Sequence, residues 1–111
     1  MSITTHATIT TKPETFDEFH QYIKVELAMT RESAGCRSIH CSSDKETNTL
    51  KFVGVWDDID SFNAYSERRQ ERSGEIIARL LAEDGMEVVF HNTDDWGYGS
   101  EYKSSDDILT L

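Results

Sequence analysis

The sequence holds one proline, two cysteines and only 11 basic residues in 111 positions. Each scarcity excludes something. Lys and Arg are outnumbered by 21 acidic residues, for a net charge of −10, so the chain lacks the clustered cations that grip phosphate backbones. A nucleic-acid partner is not expected. No apolar run approaches the roughly 20 residues of a membrane span, and no membrane association is expected. The opening MSITTHATIT lacks the basic and then apolar order of a signal peptide. Cys36 and Cys41 fall in what reads as one strand, at an odd spacing that sends their side chains to opposite faces. They are expected to stay unpaired, and two free thiols suit a reducing cytoplasm. No glycine-rich phosphate loop, Walker motif or Cys-x-x-Cys pair occurs, which leaves nucleotide and iron–sulfur chemistry without a carrier.

What is present fits a single globular domain. At 37 % hydrophobic and 29 % charged residues the chain is neither disordered nor fibrous. Its length supports one modest core, so a homo-oligomer that buries a further face is physically welcome.

ITTHATITT, from Ile3, alternates and is rich in β-branched residues, which predicts a strand with Ile3, Ala7 and Ile9 on one face. After Pro13, Thr15 and Glu18 are spaced as a capping box for a helix running to about Thr30. Phe16, Phe19, Ile23 and Leu27 form its apolar stripe. A strand from about Cys36 to Ser42 and another over 49–57 flank the polar turn SDKETNT and predict a hairpin. Asp57 or Asp58 can cap a second helix carrying Ile59, Phe62 and Tyr65. Ser73-Gly74 is expected to interrupt it before a second piece, EIIARLLAED, which Gly85 stops. MEVVFHN then predicts a last strand, so that the domain spans 1–93 and an acidic tail with WGYG spans 94–111.

The order is β-α-β-β-α-β. It implies an α+β, ferredoxin-like fold: a four-stranded antiparallel sheet with helices on one face. The opposite face, bearing His6, Val53, Val55 and Val89, needs a cover, and a second subunit is the expected one.

Four stretches in this order and spacing, KPETFDEF, TRESAGCRSIH, LKFVGVWDDIDSFNAY and a late MEVVFHN, resemble the antibiotic biosynthesis monooxygenase family of dimeric α/β barrels. The likeness spans residues 3–93. It implies a homodimer formed through the sheets and a pocket between each sheet and its own helices. It also implies a class of oxygenase that uses neither metal nor flavin and takes its electrons from an electron-rich phenolic substrate. Other branches of the family degrade heme with an Asn on the first strand and a His on a helix; here the first strand has no Asn and the helix after Trp56 has no His. Many relatives carry Glu where this chain has Gly54.

Set against this resemblance, Leu50, Phe52, Gly54 and Trp56 alternate onto the helix-facing side of the third strand. Trp56 is then either a core plug or one wall of a pocket, where its ring can stack on a planar ligand and its N–H can donate. Tyr65, Arg68, Arg69 and Arg72 on the next helix resemble a stretch in one branch of the family that would suit gripping an anionic oxygen, or else they form part of a solvated face. Tyr65, close behind the apolar stripe, is the best placed of the four for the pocket. His20, one position past Phe19, is a candidate base at the pocket edge. The expected site therefore has Trp56, Tyr65 and His20 as catalytic groups, with Phe19, Ile23, Phe52, Gly54 and Arg69 binding a small aromatic substrate. His6 and His91 on neighbouring strands make too sparse a set for zinc, and no metal or other cofactor is expected. The function implied is a cofactor-independent monooxygenase of phenol- or hydroquinone-like metabolites. The alternative is a non-catalytic dimeric small-molecule binder of the same fold.

Overall fold

The computed structural model describes residues 1–94. Strand β1 (Ile3–Thr11) leads through a short 3-10 turn at Pro13–Thr15 into helix α1 (Phe16–Arg31). Strands β2 (Cys36–Asp44) and β3 (Thr49–Trp56) form the hairpin, and helix α2 (Ile59–Leu80) runs directly into β4 (Leu81–Asn92). The sheet order is β2-β3-β1-β4, with every neighbouring pair antiparallel. This is the ferredoxin-like α+β arrangement. No helix among the described residues is long and apolar enough to cross a membrane.

The helix-facing side of the sheet carries Ile9, Ile39, Leu50 and Phe52, which pack with Phe16, Phe19 and Leu27 of α1 and with Leu80 at the end of α2. Opposite residues in an antiparallel pair share a face. The alternation in β1 and β3 thus places the core row and the outer row directly. On the outer face, Val53 (38 % exposed) and Val89 (40 %) flank His6 and are uncovered within this chain.

Four expectations need correction. The Thr15–Glu18 capping box does not form. The Thr15 hydroxyl instead donates to the Leu80 carbonyl at 2.5 Å, and Glu18 pairs with Arg79 at 2.6 Å. The start of α1 is thereby spent on the last carbonyls of α2, where Lys12 Nζ also donates to the Arg79 carbonyl at 2.9 Å. Helix ends leave such carbonyls unpaired, and a neighbouring element can satisfy them.

Ser73-Gly74 does not interrupt α2. Ser73 is fully buried and its hydroxyl accepts a hydrogen bond from Tyr22 of α1, so the small residues let two helices close on each other. Gly85 does not stop a helix either. It lies within β4, where pairing shifts from Ile9–Met86 to Thr11–Leu81. A Cβ at Gly85 would stand 2.4 Å from the Thr10 carbonyl oxygen, so the irregular stretch brings backbone against backbone and excludes any side chain. The fourth correction concerns the cysteines. A bulge between Cys36 and Ser38 resets the alternation, and Cys36 pairs with Trp56 while Cys41 pairs with Phe52. Both therefore share the helix-facing side. They are free because five residues of extended strand, at about 3.3 Å each, hold them apart, not because they point to opposite faces. The expected tail, with its WGYG stretch, lies outside the described residues apart from Asp94.

Candidate active site

Between the sheet and its helices is a cavity of about 140 Å³. The sheet contributes Thr5, Ala7, Ile9, Ile39, Phe52, Trp56, Met86 and Val88; the helices contribute Phe19, Ile23, Leu27 and Thr30 from α1 and Phe62, Tyr65, Ser66, Arg69 and Ile77 from α2. The sequence-predicted residues Trp56, Tyr65, Phe19, Ile23, Phe52 and Arg69 all meet here. The lining is overwhelmingly apolar, as small-molecule sites are, with polar groups concentrated at one end.

Trp56 is 1 % exposed. Its ring meets Phe62 edge-on at 5.5 Å and Tyr65 at 5.0 Å with a tilt of 38°. The indole Nε1–H is buried and has no hydrogen-bond partner among the described residues. An unmade bond of this kind costs about 1–3 kcal/mol, so native proteins rarely keep one without a use.

Gly54 explains where that N–H lies. A Cβ at position 54 would stand 2.9 Å from Trp56 Nε1, 3.0 Å from Thr5 Oγ1 and 3.1 Å from Ile39 Cδ1. The space freed by the missing side chain is occupied by the edge of the indole itself. Gly54 is the seat of Trp56 and does not line the cavity.

The polar end is a closed network. Tyr65 Oη and Thr30 Oγ1 share a hydrogen bond of 2.9 Å. Arg69 donates from Nε to Tyr65 Oη (3.2 Å), from Nη2 to Thr30 Oγ1 (2.9 Å) and from Nη1 to Glu26 Oε2 (2.5 Å). Arg72 reaches the same carboxylate at 3.3 Å. Burial alone favours the neutral acid of Glu26, but the two guanidiniums outweigh it and hold the carboxyl below its ordinary range. Arg69 shows the reciprocal balance: burial works against its charge, and the Tyr65 oxygen and the Glu26 carboxylate raise its pKa above the ordinary value.

His20 stands apart from this constellation. It is exposed, stacks on Phe16 at 5.7 Å, and its Nε2 lies 3.5 Å from the Ser43 hydroxyl. One residue past Phe19 is a turn of roughly 100° around a helix, which carries it from the buried stripe to the outside. Sequence reasoning missed Glu26 and Thr30. Their signal was available: Tyr22, Glu26 and Thr30 recur every fourth residue alongside the Phe19, Ile23, Leu27 stripe. His6 and His91 meet edge to face at 5.6 Å on the outer side of the sheet, away from the cavity.

A family model described as antibiotic biosynthesis monooxygenase matches residues 2–73. No curated protein matches the sequence. Among solved structures, a conserved protein from Methanosarcina mazei Go1 is similar at 19 % identity, with a TM-score of 0.72, covering 85 % of this chain and 94 % of that one. A protein from Pseudomonas aeruginosa is 21 % identical, with a TM-score of 0.66 and coverage of 84 % and 94 %. One from Nitrosomonas europaea, proposed by its name to be an antibiotic biosynthesis monooxygenase, is 12 % identical, with a TM-score of 0.74 and coverage of 88 % and 94 %. At such identities these structures speak for the fold, and the family rests on the match over most of the domain. The chain belongs to the antibiotic biosynthesis monooxygenase family.

Proposed function

We propose that this protein is a small monooxygenase that oxidises an electron-rich, single-ring phenol or hydroquinone without a metal or flavin. The observation that carries the reading is the Trp56 ring bordering an apolar cavity while its N–H, seated against Gly54, has no partner among the described residues. A ligand oxygen would be that partner once the indole edge shifts from its seat. Size narrows the class, because a dry cavity of roughly 150 Å³ is known to accept benzene. A fused polycyclic would need the walls to part. In the proposed reaction the phenol loses its proton to water, and electron density at the ring rises. Dioxygen then takes four electrons from the ring: one oxygen atom becomes a new quinone carbonyl and the other leaves as water. Trp56 Nε1–H and the Tyr65–Arg69 pair would steady the anionic oxygen during that step. His20 lies too far out to be assigned the proton transfer.

The alternative, a non-catalytic binder, is favoured by one observation. At the polar end of the cavity, Tyr65, Thr30 and Arg69 already satisfy one another. The molecule is proposed to act as a homodimer through the outer sheet face, and to work in the cytoplasm, where its two free thiols would stay reduced.

The test is aerobic incubation of single-ring phenols and hydroquinones with heavy-isotope dioxygen, followed by mass spectrometry. One labelled oxygen in a quinone product is expected, with both binding and turnover lost in Trp56→Phe, which retains most packing but has no N–H. Binding without product would favour the binder. Unchanged binding and turnover in Trp56→Phe would remove the basis for both readings of this cavity.

A further inference from the structure

The wall that Tyr65 and Arg69 present to the cavity has a second side. There the same two residues, with Arg68, Arg72, Met29 and Ser33, line a groove of about 310 Å³ between the helices. Arg68 is exposed and, among the described residues, makes no ion pair. The Arg72 side chain stays 56 % exposed although it touches Glu26. The Glu26 side chain, in contrast, is only 9 % exposed and its oxygens are turned toward Arg69 and Arg72.

Two guanidiniums thus share one buried carboxylate, and a third, Arg68, lines the same groove, on a molecule whose net charge is −10. Arg68 and Arg72 are also four apart on α2, a spacing at which like charges repel. Each guanidinium carries five donors, and those of Arg68 and the outer edge of Arg72 remain free for a ligand. A compact oxyanion would relieve the repulsion and accept from both.

We propose that this groove binds an oxyanion borne by the ligand whose ring fills the cavity, so that the substrate is a phenol carrying a carboxylate or phosphate on a short arm. The inference rests on the aromatic reading above. Tyr65 and Arg69 border both spaces, so cavity and groove are neighbours across these two side chains, and the arm would pass where they part. Arg68 and Arg72 act here as binding residues and have no part in the oxygen chemistry.

The experiment compares para-cresol, para-hydroxyphenylpropionate and the corresponding amide by calorimetry, in the full chain and in an Arg68→Gln/Arg72→Gln double variant. Both positions are exposed, so the variant is expected to fold, and its circular dichroism checks this. At low salt the carboxylate is expected to bind roughly fivefold or more tighter than the amide, as one or two partly exposed charge pairs allow. That preference for carboxylate over amide should shrink with added salt and vanish in the double variant. Equal affinity of carboxylate and amide overturns the inference and leaves the aromatic reading standing. So does a preference that survives in the double variant. If para-cresol fails to bind, the aromatic reading falls, and the groove is judged by acetate and inorganic phosphate alone. Shifts of the Arg68 and Arg72 Nε–H resonances with either anion support an oxyanion site and say which anion it takes. Their absence overturns it.

Discussion

Trp56 is a buried side chain that also borders a cavity. A plain core tryptophan cut to alanine costs roughly 3–5 kcal/mol. One face of this ring borders a cavity, so Trp56→Ala is expected to cost less, about 2–3 kcal/mol by urea denaturation, because fewer packed atoms lose partners. Gly54→Ala is expected to lower stability by roughly 1–3 kcal/mol through displacement of the indole, and to weaken ligand binding with it. A neutral Gly54→Ala in both assays would contradict the seat described for Trp56. Glu26 gives a pH signature. Its carboxyl is held below the ordinary value of 4.5 in the folded protein, so the folded state releases that proton more readily than the unfolded chain. The resulting stability is present at neutral pH and decays as pH falls from about 4.5 through the lower folded value. Glu26→Gln is expected to cost on the order of 3 kcal/mol at pH 7, because Arg69 loses its buried partner. The gap between the two proteins should close in acid; a gap that stays constant with pH would count against the ion-pair account. At this scale the sequence was legible where residues kept to a period. Trp56, Tyr65, Phe19, Ile23, Phe52 and Arg69 fall on apolar stripes or directly beside them. Glu26 and Thr30 read as solvent-facing by type, and only the closing of α1 on α2 buries them.

Elements were legible in kind and order but not at their junctions. The turn from α2 into β4 carries no proline and only Gly85 as punctuation, and that glycine marks an irregular strand pairing instead of a helix end. What ends α2 is distant in sequence: Thr15 and Lys12 take up its last carbonyls. Local patterns do not encode such a stop. Thr15→Val is therefore expected to cost about 1 kcal/mol, with faster amide exchange in the last turn of α2. Glu18→Gln should leave the start of α1 intact, since Glu18 pairs with exposed Arg79 and does not cap. Fraying of α1 in Glu18→Gln would restore the capping box. Parity in β2 failed for a related reason: a one-residue bulge reverses every later side chain, and nothing in CRSIHC announces it.

For the whole molecule, the outer sheet face is the open question of assembly. Val53 and Val89 are each more than a third exposed on a face that neither described helix covers. A stable dimer is expected at micromolar concentration by sedimentation velocity, and Val53→Glu/Val89→Glu is expected to yield folded monomers, since two buried like-signed charges face their copies. A wild-type monomer under those conditions would sink the proposed homodimer. The acidic surplus is a property of the whole molecule and says nothing of the basic groove on α2, because a net charge averages over all faces.

The placing of β1 between β3 and β4 has a further consequence. Ile3 pairs with Asn92, so the first strand to leave the ribosome gains its last partner only when nearly all the described chain has been made. Until then the sheet lacks the strand that supplies Met86 and Val88 to the cavity, and the nascent protein displays an unpaired edge and an apolar face. Ligand cannot assist folding before that point, because the space that receives it does not yet exist. Fidelity in the cell then depends on how briefly the half-built sheet stays exposed to chaperones and to other copies of itself.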